Sequence, residues 1–124
     1  MTNTVTMLLC QQSVDGQPEP TTWGAAVLLG TTTAELGKWA DLDGDHVDSD
    51  KLPDWLIRQG RRRAREAQAA TGVGSTTAAM THWAVRDFSE GVVAFDMVTW
   101  SDVHQLWMIV TSEVAQRITG EAES

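Results

Sequence analysis

The chain has no tyrosine, two phenylalanines, three prolines, a single cysteine and, over 124 residues, no apolar run longer than five. A bilayer-spanning helix needs roughly 20 consecutive apolar residues, so no transmembrane segment is expected. One cysteine, Cys10, excludes an internal disulfide and fits a reducing cytoplasm. No basic region precedes the short apolar stretch at 7–10, so neither a signal peptide nor a lipoprotein anchor is expected. Cations are also scarce: nine Lys and Arg face seventeen Asp and Glu, a formal net charge of −8 with a pI near 4.6. That balance argues against general affinity for nucleic acid or anionic membrane, while leaving a local basic contact open. Arginine outnumbers lysine seven to two and asparagine occurs once, a bias of G+C-rich genomes that fits a bacterial or phage accessory protein.

What is present describes an ordinary globular chain. The hydrophobic fraction is 42% and the charged fraction 21%. The length suits one compact domain over 1–124, with 120–124 as a frayed tail. Six tryptophans stand at 23, 39, 55, 83, 100 and 107. Rings of that size fill a core with few residues, and they also anchor interfaces. Core filling is the expectation for each.

The charges are gathered rather than scattered. Asp41, Asp43, Asp45, Asp48, Asp50 and Asp54 fall within fourteen positions, and Arg58, Arg61, Arg62, Arg63 and Arg65 follow at once. A segment so polarised pairs with itself, with a second copy or with an outside charge.

Alternation of Val5, Met7 and Leu9 predicts a strand over Thr4–Gln12. Gly16, Pro18 and Pro20 predict a loop, and the apolar run 23–29, closed by Gly30, a second strand. Thr32 and Glu35 have capping-box spacing ahead of a short helix over 34–40, which Gly37 weakens. The acidic stretch 41–50 reads as a loop. Residues 51–70 read as a helix with Asp50 as N-cap, Pro53 in its first turn and Gly60 as a point where it divides. After a Gly- and Thr-rich connector at 71–77, residues 81–88 and 92–98 read as a hairpin turning at Ser89, Glu90 and Gly91, with Arg86 and Asp96 as diagonal neighbours. A last helix is expected from Thr99, its stripe running Trp100, Val103, Leu106, Trp107, Val110, Val114 and Ile118. The predicted architecture is α+β, a two-layer sandwich of about four antiparallel strands in ββα–ββα order with helices on one face.

Candidate chemistry is thin. Asp41, Asp43 and Asp45 have the opening spacing of a calcium loop. His46 replaces the turn glycine and Leu52 the closing carboxylate, so the segment reads as a solvated acidic interaction loop with those three as weak metal candidates. On a continuous helix Arg58, Arg61, Arg62 and Arg65 share one face about 100° wide, while Arg63 turns toward the apolar side. Asp54–Arg58 and Arg62–Glu66 are expected as helical ion pairs. The arginine face reads either as self-paired surface or as a site for phosphate, nucleic acid or an acidic partner. The stretch 72–77 resembles a phosphate loop but lacks its lysine and follows a helix; beside the arginine face it could share an anion site. His46, His82 and His104 have no metal-ligand spacing, and Ser101, Asp102 and His104 are too close together to presume a triad. Cys10 reads as a packed thiol.

With no catalytic spacing and no cofactor implied, the expected function is a small non-enzymatic binding protein, an inhibitor, chaperone, assembly factor or acidic mimic acting on another protein. Homodimerisation through the acidic loop and the arginine face is predicted with it. The alternatives are a nucleic-acid or phosphate module on the 58–65 face, and a metal-dependent enzyme at 41–45.

Overall fold

The computed structural model describes residues 3–12, 18–39, 51–100 and 103–120. The expected acidic loop with Asp41, Asp43, Asp45, Asp48 and Asp50, the Asp50 cap, Asp102 and the tail beyond Gly120 lie outside them.

The fold is α+β, built on three nine-residue antiparallel strands: β1 (Thr4–Gln12), β3 (Val92–Trp100) and β4 (Val103–Thr111). A three-residue segment, β2 (Pro18–Pro20), pairs with Cys10–Gln12 at one edge, so the lateral order is β2-β1-β4-β3. The described residues also form five α-helices: α1 (Thr22–Leu29), α2 (Thr33–Leu36), α3 (Asp54–Thr71), α4 (Thr76–Phe88) and α5 (Ser112–Thr119). The expected ββα–ββα order is not what forms, because both segments 23–29 and 81–88 are helices.

β1 covers the expected residues, and Met7 is buried opposite Met108 of β4, but Val5 of the alternating set is exposed. A register shift between Leu8 and Cys10 interrupts that alternation, and both Leu9 and Cys10 are buried. On β4 the buried residues are Leu106, Met108 and Val110, a period of two. The expected final helix thus merged a strand with a helix. Only Val114 and Ile118 of its stripe sit on a helix, α5, which starts where Thr111 Oγ1 accepts from the Val114 amide at 3.3 Å.

α1 is the sharpest departure from expectation. A short apolar run is compatible with either a buried strand or a buried helix. Thr21 decides it locally: its Oγ1 accepts from the Gly24 amide at 3.1 Å and donates to the Leu8 carbonyl at 2.6 Å. The cap therefore starts the helix and ties it to β1. Gly24 lets the two backbones touch, since a Cβ there would lie 1.9 Å from the Leu9 carbonyl oxygen.

α4 replaces the first arm of the expected hairpin. Its buried residues Ala79, Met80, Trp83 and Ala84 recur at helical spacing, and Ser75 caps it through the Ala78 amide. Arg86 consequently lies on α4 over Trp83, away from any pairing with Asp96 on β3. Ser89–Gly91 is one 3-10 turn. Gly91 is needed there because a Cβ would meet Val114 Cγ2 at 1.9 Å. α3 runs unbroken through Gly60, whose bare Cα accommodates Leu29 of α1.

Leucine, methionine and alanine dominate the core. Leu9, Leu36, Leu56, Met80 and Met108 are fully enclosed. Of the tryptophans with described side chains, only Trp83 is buried, at 5% exposure; Trp23 and Trp55 are 38% and 49% exposed. No helix among the described residues is long and apolar enough to cross a membrane.

Candidate functional site: the arginine face of α3

α3 starts at Pro53, which contributes no side-chain cap, and ends at Gly72 in the left-handed conformation (φ 77°). Along its length Arg58, Arg61, Arg62 and Arg65 are all exposed on the face the helical period assigns them. Arg63 is not. Its Nε and Nη2 donate to the carbonyls of Leu28 (3.0 Å) and Val27 (2.9 Å), and Nη2 also pairs with Asp87 Oδ2 at 2.9 Å. Gln59 Nε2 donates to the Leu29 carbonyl at 2.6 Å. Two side chains of α3 thus satisfy three of the carbonyls left open at the end of α1. The sequence turned Arg63 toward the apolar side; there it acts as a structural clamp.

The expected ion pairs Asp54–Arg58 and Arg62–Glu66 do not form. Among the described residues the ion pairs are Lys38–Glu35 and Arg63–Asp87. No described carboxylate therefore comes within 4.0 Å of the four face arginines. Elsewhere Arg86 and Arg117 lie over the rings of Trp83 and Phe88, at 5.6 and 4.9 Å.

Beside this face a cavity of about 440 Å³ opens between α1, α3 and the start of α4. Leu28, Leu29, Ile57 and Leu52 give it an apolar wall, and Ala25, Ala64 and Ala79 leave it room. Arg61 and Arg65 stand in its lining with Gly74, Ser75 and Thr76. Arg58 and Arg62 lie farther round the helix, outside it. The structure thus brings two of the four candidate arginines together with the Gly- and Thr-rich connector. Sequence reading noted that adjacency but missed the hydrophobic hollow, because its walls come from α1, which was read as a strand.

The remaining candidates among the described residues do not converge. His82 is on α4, edge-on to Trp83 at 5.0 Å, and His104 is exposed on β4. Cys10 is buried in β1. Among the described residues no three His, Cys, Asp or Glu side chains are grouped to hold a metal ion. Asp41, Asp43 and Asp45 are not among those residues. No family model matches this chain, and no curated protein or solved structure shows significant similarity to it.

Proposed function

We propose that the protein is a small non-enzymatic binding protein that docks an acidic surface of another protein on the arginine face of α3. One observation carries this reading. Arg58, Arg61, Arg62 and Arg65 project from one helix face without a described carboxylate in reach, in a chain whose net charge is −8. Arginine suits the task because its planar fork binds carboxylates in bidentate fashion and stays charged at any physiological pH. The acidity of the whole molecule disfavours long polyanions such as nucleic acid, whose charge would meet repulsion away from α3.

Affinity capture from extract of the source organism, run with and without nuclease treatment, tests the reading, comparing wild type with a variant carrying Arg58→Ala, Arg61→Ala, Arg62→Ala and Arg65→Ala. The expected result is an acidic protein retained by the wild type, released as salt rises, and missing from the variant. Identical capture by both proteins would defeat the reading. So would a captured species that disappears on nuclease treatment.

A further inference from the structure

We propose that the cavity between α1, α3 and α4 is a binding site for a small amphiphilic acid, taken up as a free monomer: an apolar chain carrying one anionic head. The inference goes beyond partner docking and shares with it one premise, that Arg61 and Arg65, which have no carboxylate partner among the described residues, receive a negative charge from outside.

The volume of about 440 Å³ falls within the roughly 300–1,000 Å³ usual for small-molecule sites. Its wall is aliphatic, from Leu28 and Leu29 on α1 and Ile57 on α3, with Ala64 and Ala79 kept short. Such a surface recognises a hydrocarbon and offers a polar body nothing to bond.

The polar groups lie together. Arg61 and Arg65, one helical turn apart and both exposed, stand in the lining, and their side chains are long enough to carry a guanidinium to its mouth. Ser75 and Thr76 begin α4, a thirteen-residue helix with no acidic residue in its first turn. The Ser75 hydroxyl accepts from the Ala78 amide at 3.1 Å, which leaves the earlier first-turn amides without an intrahelical acceptor. Two cations and the positive end of a helix dipole beside a hydrocarbon wall match one class of ligand: an anion at one end and aliphatic at the other. A neutral lipid would leave the arginines unanswered, and a cationic amphiphile would be repelled.

Calorimetry on the full chain with decanoate, decanol and decyltrimethylammonium, each below its micelle concentration, tests the assignment. Decanoate is expected to bind at least about tenfold more tightly than decanol, the worth of one charge-assisted contact, and the cation not at all. Amide resonances of Gly74, Ser75 and Thr76 should shift on titration. Combining Arg61→Gln with Arg65→Gln should bring decanoate down to the affinity of decanol. Ala64→Trp, at an exposed lining position, should fill the space and abolish both; should that variant fail to fold, the arginine pair decides alone. Equal affinity for decanol and decanoate in the wild type would overturn the proposal. So would undiminished decanoate binding by the arginine variant, or adsorption to anionic phospholipid vesicles without any response to decanoate. Arg58→Gln with Arg62→Gln separates the two readings: both lie outside the cavity, so this pair should weaken partner capture and leave decanoate affinity unchanged.

Discussion

The guanidinium of Arg63 lies 4.0 Å from the centroid of the Trp83 ring, and the Trp83 indole N–H donates a 2.9 Å hydrogen bond to the Arg63 carbonyl. Each residue therefore holds the other through two separate contacts, one from side chain to side chain and one from side chain to backbone. Through the same guanidinium, α3 also grips the end of α1 and reaches Asp87 on α4. Three helices meet at this one cation.

Arg63→Ala should accordingly destabilise the protein by about 2–4 kcal/mol, because two carbonyls of α1 lose a charged donor and the ring loses its cation. Arg63→Lys should recover less than half, since an ammonium cannot bond two carbonyls and a carboxylate while stacked on indole. A cycle with Trp83→Phe should yield a coupling energy of about 0.5–2 kcal/mol. Urea denaturation measures all three. A loss below about 0.5 kcal/mol for Arg63→Ala would show that the clamp contributes little.

The glycines divide by what surrounds them. At Gly24 an added Cβ would collide with the Leu9 carbonyl oxygen at 1.9 Å, and backbone must move. At Gly60 the obstacle is Leu29 Cδ2 at 2.5 Å, the far end of a flexible side chain, and the position is inside a long helix. Gly24→Ala should therefore cost about 2–4 kcal/mol, by forcing α1 off β1. Gly60→Ala should fall within about 1 kcal/mol of wild type, because helix propensity offsets the repacking of Leu29. Thermal melts of the two variants would distinguish them, and a larger loss at Gly60 than at Gly24 would contradict the packing described.

Legibility in the sequence followed the length and purity of the hydrophobic period. β1 and α3 were readable because Val5, Met7 and Leu9 alternate and because Leu52 through Ala70 has few breakers. The run 23–29 was not, since every residue is apolar or glycine and no period exists to read. Thr21 was the available signal, an N-cap in front of an alanine-rich run. The segment 81–88 misled because Trp83 and Val85 alternate, while two of the contacts that matter, Ala79 and Met80, fall between the connector 71–77 and the expected strand, in residues assigned to neither. At 99–118 the helical stripe was an accident of overlap: Leu106 and Val110 satisfy a period of two and a period of four equally well. For the site, the four arginines were legible as a face; the cavity was not, because it needs α1 to be a helix.

Tryptophan is the second place where packing departs from composition. Met80 and Met108 are completely enclosed, while Trp23 and Trp55 remain substantially exposed. Met80→Ala and Met108→Ala should each cost about 2–5 kcal/mol through cavity formation. Trp23→Ala should stay within about 1 kcal/mol. Trp55→Ala should lose about 0.5–1.5 kcal/mol, the worth of its edge-to-face contact with Trp39, whose ring centroid is 6.0 Å away. Denaturation midpoints in urea check this ordering; a tryptophan variant less stable than either methionine variant would reverse it.

The face arginines should behave in the opposite way to Arg63. Arg58 and Arg62, like Arg61 and Arg65, are like charges four residues apart, and each such pair opposes the helix by about 0.2–0.5 kcal/mol. Alanine removes that repulsion and adds helix propensity. The quadruple Arg→Ala variant should thus be at least as stable as wild type, and its advantage should shrink as salt screens the repulsion. A surface that carries repulsion without a partner among the described residues suits a docking face, since stability and recognition pull such residues in opposite directions. Chemical denaturation at low and high ionic strength provides the measurement. If the quadruple variant instead lost more than about 2 kcal/mol, the arginines would be holding the fold together, and both the partner face and the acid-binding cavity would lose the free charge on which they stand.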